Sequence, residues 1–431
     1  MNFLKGFTIT GFSTILITLV AFFNNVIVTR QIGADGRGKY VVISNIIVIL
    51  SLLLGEGIRR TNTLLISEDK RNLAKLVVQT LIYAFVISVL FLLFYFIDSI
   101  WKTIFPNITD NLFFITLVIT VIIILWRAFQ AIFLGLGKII EFNMLQIIST
   151  VTIFLINLVG IYFFNFGLLH VVLATLAGAV ISFFLSLVLL NIKISRQDFS
   201  YDFFKKKSSK LSAKSTLSAI EIYLTLKVDV FIINFFLNSA MAGIYSIALI
   251  FTEMFQKIPN IAGPLLITKS ANDKTRSSEY ITARIFRIVL AFDIVASLLL
   301  VIIGKDLIVF LFRNEFEYSY YVLLFLLPAI VLYGPGTIIH AYFMGKGFPI
   351  KSLIINGIVA LLNIFANIIL IPVYGIIVAA IISSITYSLW TLLFLVYFRN
   401  VSNIPYQKIL ILQMEDISDI SKSIKKLIRK K

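Results

Sequence analysis

The strongest constraint on this chain is a series of apolar stretches, each about 20 residues long, that recurs along its 431 residues. Helices of this length match the hydrocarbon thickness of a bilayer, and the stretches lack the period-2 alternation of barrel strands. Only 14% of the residues are charged, too few to cover the surfaces of several soluble domains. The sequence therefore predicts an all-α polytopic membrane protein with twelve transmembrane helices. The predicted helices are 6–29, 39–58, 75–98, 111–136, 142–164, 168–192, 214–237, 241–265, 283–304, 319–344, 350–371 and 375–398.

The distribution of Lys and Arg predicts the orientation in the membrane. Most of the 38 basic residues lie at the two ends and in alternate connections between the apolar stretches. Because cytoplasmic loops carry an excess of Lys and Arg, both termini are expected in the cytoplasm. The net charge of +17 is therefore explained mostly by basic residues that orient the chain in the membrane. No nucleic-acid partner is expected. The run Lys205–Lys207 is interpreted as a loop that faces lipid headgroups.

The available side chains exclude several classes of function. The chain has no cysteine and two histidines, which excludes thiolate catalysis and disulfides and argues against a zinc cluster. The Gly-rich segment 33–38 has the wrong spacing for a nucleotide-binding loop and lies between two apolar stretches. We expect no enzymatic activity, no cofactor and no metal site.

The sequence contains an internal duplication. Gly38-Lys39-Tyr40 matches Gly243-Ile244-Tyr245, and Asn157 matches Asn367 at a similar offset. Since each half has six predicted helices, the halves share one topology, which predicts two six-helix bundles related by a pseudo-two-fold axis along the membrane normal. The predicted domains are an N-terminal lobe (1–197), a cytoplasmic basic linker (198–213), a C-terminal lobe (214–400) and a cytoplasmic amphipathic basic tail (401–431).

Three segments carry a resemblance to a known family. Arg30–Tyr40, with the sequence RQIGADGRGKY, is similar to the turn after the first helix of bacterial polysaccharide flippases. Val228–Ile233, followed by Ala242–Ser246, is similar to the family's seventh-helix signature, and Asn363 and Asn367 with the corner 372–375 resemble its eleventh and twelfth helices. The likeness implies the multidrug/oligosaccharidyl-lipid/polysaccharide exporter superfamily, and within it the flippases for lipid-linked oligosaccharides.

This resemblance implies a function and leaves two alternatives. It implies a flippase of the bacterial cytoplasmic membrane that moves a polyprenyl-diphosphate-linked oligosaccharide between leaflets by alternating access. Membrane lipids, H⁺ or Na⁺, and polysaccharide biosynthesis proteins are the further candidate partners. One alternative is a cation-coupled multidrug antiporter of the same superfamily. A remote alternative is a membrane polysaccharide polymerase, which the short outward loops disfavour.

Ionisable and polar residues inside the predicted helices are the candidate site residues, because each is costly in a membrane and is expected to have a partner or face water. Arg127 lies near the middle of helix 111–136, and Gln130 shares a face with it. A guanidinium suits a phosphate, so Arg127 is the main substrate-binding candidate. Lys227, Asn24 and Asn25 are further candidates, with interhelical hydrogen bonding as the alternative role of the asparagines.

The acids deep within predicted helices all lie in the second half of the chain. Asp229, Glu253, Asp293 and Glu221 are candidates for binding a coupling ion. The alternative is a structural ion pair between Lys227 and Glu253 or Asp293. Gly334-Pro335-Gly336 in helix 319–344 predicts a break or kink, since proline removes a helical hydrogen bond, and this segment is a candidate hinge.

Overall fold

The computed structural model describes residues 3–164, 167–191, 227–273, 275–347, 349–416 and 418, and these residues contain no strand. The helices are α1 (Phe3–Glu68), α2 (Leu73–Tyr95), α3 (Asp98–Ile104), α4 (Asp110–Gly135), α5 (Ile139–Phe164), α6 (Leu168–Leu190), α7 (described over 227–236), α8 (Ser239–Phe255), α9 (Lys257–Asn272), α10 (Ser277–Phe312), α11 (Tyr318–Gly345), α12 (Pro349–Tyr374), α13 (Ile376–Ser402) and α14 (Tyr406–Leu410).

Helix α1 is two predicted helices joined at one glycine. Gly33 has φ of 66° and ψ of −174°, a conformation that residues with a Cβ rarely adopt. Arg37 Nη1 donates a hydrogen bond to Asn25 Oδ1 at 2.7 Å. Residues twelve apart in a straight helix are about 18 Å apart, farther than these two side chains reach. The chain therefore folds back at Gly33. The connection predicted over residues 30–38 is helical except at Gly33.

Nine helices within the described ranges are long and apolar enough to cross a membrane: α1, α2, α4, α5, α6, α10, α11, α12 and α13. Helix α1 has 66 residues, enough for two crossings. The prediction of one continuous helix over 241–265 is wrong, because α8 and α9 are interrupted at Gln256. Pro259, just after the interruption, has no N–H to donate back to Phe255, which explains a break there.

The chain divides into two compact units, Met1–Gly243 and Ile244–Lys431. Phe129 and Phe133 belong to the core of the first unit, and Phe286 and Phe394 to that of the second. The predicted lobe boundaries at 197 and 214 fall outside the described residues and stay predictions.

The second half of α1 runs parallel to α4. Asn62 Nδ2 donates a hydrogen bond to the carbonyl oxygen of Ala128 at 3.1 Å. Farther along both helices, Gly135 lies so close to Ile66 that a Cβ at residue 135 would overlap the Ile66 side chain. The residue numbers of the contacting pairs increase together along α1 and α4, so the two helices have the same direction. Residues near 59 on α1 therefore lie level with residues near 127 on α4.

A C-terminal strap, residues 403–416, packs back on α10. Ile409 is fully buried, and the buried Asp416 carboxylate accepts hydrogen bonds from Nε of Arg287 at 2.5 Å and from its Nη2 at 2.9 Å. Arg284 Nε adds an ion pair with Asp416 at 3.0 Å. The strap is thereby fixed to the first third of α10, and residues 417 and 419–431 of the predicted basic tail lie outside the described residues.

Candidate functional site

A group of charged side chains lies in the second half of α1. Glu56 is buried and accepts hydrogen bonds from Nε and Nη2 of Arg59 and from Nε of Arg60, each at 2.7 Å. The spacings of three and four residues bring both arginines to the same face of the helix as Glu56. One carboxylate therefore pairs with two guanidinium groups, so the three side chains together have a net positive charge.

Arg127 on α4 adds a third guanidinium to this group. The charges of Arg59 and Glu56 both act on Arg127, in agreement with the parallel register of α1 and α4. Arg127 is partly buried, and it makes no hydrogen bond or ion pair with a described residue. We name Glu56, Arg59, Arg60 and Arg127 the α1–α4 cation cluster. With three cations and one anion, this cluster can bind an anion without losing its internal pairing.

Three of the other substrate-binding candidates are engaged in contacts between helical segments. Gln130 is buried and donates from Nε2 to the carbonyl oxygen of Phe142 on α5 at 2.9 Å. Asn24 accepts from Nδ2 of Asn157 at 2.9 Å, which joins α1 to α5, and Asn25 accepts from Arg37 across the fold at Gly33. These bonds match the interhelical role that was the alternative for the asparagines, and substrate contact stays a prediction for all three residues.

The candidates near the junction of the two units have different surroundings. Lys227 is partly buried, at the start of the described part of α7. Asp229 is buried, and its Oδ1 accepts a hydrogen bond from the backbone N–H of Val230 at 2.9 Å. Glu253 is exposed near the end of α8. Glu221 lies outside the described residues, and the ion-coupling role of these acids stays a prediction.

Asp293 on α10 is the most isolated of the predicted acids. It is 0% exposed, and neither carboxyl oxygen has a hydrogen-bond partner in the part of the chain that the structure describes. The ion pair predicted as an alternative for Asp293 is therefore absent among the described residues. The structure instead places this acid against the backbone of α11, since an ideal Cβ at Gly334 would lie 2.7 Å from Oδ2 of Asp293.

The candidate hinge Gly334-Pro335-Gly336 is buried within α11. Helix α11 continues through this segment with Pro335 inside it, so the structure has no break there. A Cβ at Gly336 would overlap the hydroxyl of Thr391, so small residues are needed here for the packing of α11 on α13. Hinge motion at this segment stays a prediction.

Sequence reasoning missed the Glu56, Arg59 and Arg60 members of the cation cluster. The predicted second helix ended at residue 58, which assigned both arginines to a cytoplasmic loop. In the structure α1 continues to Glu68. The available signal was local, because Glu56 precedes Arg59 by three residues and Arg60 by four, the spacings at which opposite charges pair on a helix.

The comparisons with known proteins agree with the resemblance seen in the sequence. A family model described as polysaccharide biosynthesis protein matches residues 3–265, more than half of the chain. No curated protein matches the sequence.

Solved structures show the fold. The structure of "Lipid II flippase MurJ, inward closed conformation" superposes with a TM-score of 0.76 at 17% identity, covering 93% of this chain and 88% of that one. An inward-facing multidrug resistance MATE family transporter of the MOP superfamily gives 0.73 at 16% identity, covering 90% and 94%. An outward-facing MATE family transporter gives 0.64 at 15% identity, covering 93% and 96%.

The predicted fold class, an all-α membrane protein with twelve helices in two bundles, is confirmed by this likeness. The family model confirms the predicted kinship with polysaccharide biosynthesis proteins, and the solved structures named here are those of a flippase and of transporters. The chain belongs to the polysaccharide biosynthesis protein family.

Proposed function

We propose that this protein is a flippase that moves a polyprenyl-diphosphate-linked oligosaccharide from the inner to the outer leaflet of the bacterial cytoplasmic membrane. The translocated oligosaccharide would then be used in capsule, O-antigen or exopolysaccharide synthesis. Family membership supports a role in polysaccharide biosynthesis, and the shared fold supports alternating access as the mechanism. Coupling to an ion gradient belongs to the same proposal.

The α1–α4 cation cluster is the observation that carries the proposal. Arg127 is a guanidinium inside a membrane helix that makes no hydrogen bond or ion pair with a described residue, and such a group is costly unless it meets an anion or water during function. A diphosphate offers several oxygens to planar arginine donors, and such charge-assisted bonds are about twice as strong as neutral ones. The apolar polyprenyl chain would remain in the bilayer while the charged headgroup occupies the cluster.

The depth of the cluster favours loading from the cytoplasmic leaflet. With both termini in the cytoplasm, α4 ends there at Gly135, and Arg127 lies about 12 Å before that end. Arg59 lies at a comparable distance before Glu68, the end of α1. The headgroup would therefore meet positive charge soon after it leaves the inner leaflet.

The test is the variant Arg127→Ala. We expect binding of a polyprenyl-diphosphate-linked oligosaccharide to the purified protein to weaken at least tenfold, since a hydrogen bond to a charged group contributes about 1.5–3 kcal/mol. Surface polysaccharide should fall with it in cells. The matched control is Arg71→Ala, which removes an exposed arginine of the connection between α1 and α2. Unchanged binding and unchanged surface polysaccharide in Arg127→Ala would overturn the proposal.

Multidrug antiport is the second candidate function. The likeness to MATE family transporters and the unpartnered acid Asp293 favour it, because an acid can bind a cationic drug. A dye-efflux assay in a host without its own pumps separates the two functions. Efflux without any change in surface polysaccharide would support antiport, and no efflux would support the flippase.

A further inference from the structure

We propose that Asp293 is a proton-binding site of the second unit and that proton release there acts on α11 at Gly334. The inference deepens the ion coupling of the proposed function, and in that respect rests on it. Its evidence comes from the second unit alone.

The first observation is the isolation of the carboxyl group. Asp293 is 0% exposed, and neither oxygen accepts a hydrogen bond from a described residue. A carboxylate buried without partners is costly by several kcal/mol, and a buried acid avoids this cost by taking up a proton. The geometry therefore favours the neutral acid in the conformation described here.

The second observation is that no charged side chain of the described residues is paired with Asp293. Helix α9 contributes Pro259 next to Gly334, and α11 contributes Gly334 itself. The titratable side chains nearest along these helices are Lys257 on α9 and Tyr333 and His340 on α11. None of the three forms a hydrogen bond or ion pair with Asp293 in the described structure.

Three titratable groups near Asp293 make contacts of their own. Tyr333 and His340 pack at a tilt against Trp390 of α13, at centroid distances of 5.1 and 5.9 Å. Arg287, on α10 itself, is held by Asp416 of the C-terminal strap. No described cation is therefore paired with Asp293, and a proton is the simplest species that can neutralise it.

The third observation is a backbone acceptor on the adjoining helix. Pro335 has no N–H, so the carbonyl oxygen of Val331 lacks its usual helical donor. Val331 and Gly334 are three residues apart and share the face of α11 that meets α10. A protonated Asp293 can donate a hydrogen bond to an acceptor on this face, whereas an ionised Asp293 has no proton to donate.

A proton fits this site better than a sodium ion. Hard cations are bound by several oxygen ligands at once. Within one turn of Asp293, the same face of α10 offers one further side-chain oxygen, the buried and unpartnered hydroxyl of Ser297. A proton requires only the carboxyl oxygen.

The glycine at residue 334 connects this acid to the candidate hinge. Its missing Cβ lets Oδ2 of Asp293 approach the α11 backbone. Loss of the proton would leave a full charge at this contact, so α10 and α11 would have to separate or admit water. Proton release would therefore favour a different packing of α11, the helix that contains Gly334-Pro335-Gly336.

The primary test needs no substrate. Infrared difference spectra of the purified protein in lipid at neutral pH compare wild type with Asp293→Asn, and Ser297→Ala is the matched control on the same face. We expect the carbonyl band of a protonated carboxyl group in wild type and Ser297→Ala, and its loss in Asp293→Asn. No such difference between wild type and Asp293→Asn, or a band that sodium removes at constant pH, would overturn the proposal.

A second test addresses coupling. In proteoliposomes, an imposed pH gradient should accelerate translocation by wild type and Ser297→Ala, and the acceleration should be lost in Asp293→Asn and reduced at least threefold in Gly334→Ala. Full acceleration in Asp293→Asn would exclude a coupling role for this acid. Failure of wild type to move the lipid-linked oligosaccharide would contradict the proposed function, whereas the infrared band would still decide the proton site.

Discussion

Glu56 in the first unit and Asp293 in the second are both carboxyl groups buried in membrane helices, but their surroundings are opposite. Glu56 accepts three hydrogen bonds from two arginines. Asp293 accepts none from any described residue and lies against a glycine of the neighbouring helix. A buried ion is tolerated only with good partners, so Glu56 has the environment of an ionised, structural acid. Asp293 has the environment of an acid that changes protonation.

The comparison indicates that the hydrogen-bond partners of an intramembrane acid decide its role. Arg127 in the first unit and Asp293 in the second each make no hydrogen bond or ion pair with a described residue. The first unit is therefore suited to an anionic headgroup and the second to a proton. Three substitutions test this contrast, in order of decreasing expected effect.

Glu56→Gln should destabilise the protein most. It removes the negative charge that pairs with Arg59 and Arg60, and it leaves three guanidinium groups close together. We expect a loss of about 2 kcal/mol in the free energy of unfolding, measured as a lower Tm in detergent. Glu141→Gln on α5 is the control, since this acid forms no hydrogen bond or ion pair with a described residue. An unchanged Tm in Glu56→Gln would contradict the assignment of Glu56 as an ionised acid that stabilises the fold, in contrast to Asp293.

Asp416→Asn extends the contrast to a paired acid outside the membrane-spanning helices. The hydrogen bonds from Arg287 hold the pKa of the Asp416 carboxyl below its usual range. Because the folded-state pKa is lower than the unfolded one, the attachment of the strap is complete above about pH 4 and is lost as the pH falls through the folded-state pKa.

Hydrogen exchange of residues 406–411 measures this attachment. At neutral pH we expect about tenfold faster exchange in Asp416→Asn than in wild type, equivalent to about 1.4 kcal/mol. The neighbouring exposed acid gives the control Glu415→Gln, which should exchange like wild type. Equal exchange in Asp416→Asn and Glu415→Gln would show that apolar packing of Ile409 alone holds the strap.

Asp293→Asn should have the smallest effect on stability. An amide has nearly the shape of a neutral carboxyl group, so we expect a change of about 1 kcal/mol or less in thermal unfolding at neutral pH. Stabilisation by several kcal/mol would mean that wild-type Asp293 is ionised in the folded protein. That result would contradict the environment assigned to it here.

The sequence predicted most of the helices correctly, because an apolar stretch of about 20 residues has one stable form in lipid, a helix with all its backbone hydrogen bonds internal. It also placed Arg127 and Asp293 inside helices. It did not predict that α1 continues past residue 58, since Glu56, Arg59 and Arg60 interrupt the apolar pattern and satisfy one another only after the helix forms.

The partners of the candidate residues were much less predictable. Gln130 was expected to share the role of Arg127, but its amide is bonded to a carbonyl on α5. An ion pair was predicted as an alternative for Asp293, but no described residue is paired with it. Helical spacing fixes the face on which a side chain lies, but which helix covers that face depends on contacts between residues far apart in the chain.

The amino-acid sequence by itself determined that this chain is a helical membrane protein and indicated its family, because hydropathy, periodicity and local motifs are properties of neighbouring residues. Only the tertiary structure decided that α4 runs beside the second half of α1, so that Arg127 joins Arg59, and that a glycine rather than a cation faces Asp293. Charges acquire their partners through packing, and in a medium without water those partners decide whether a charge is structural or available for function.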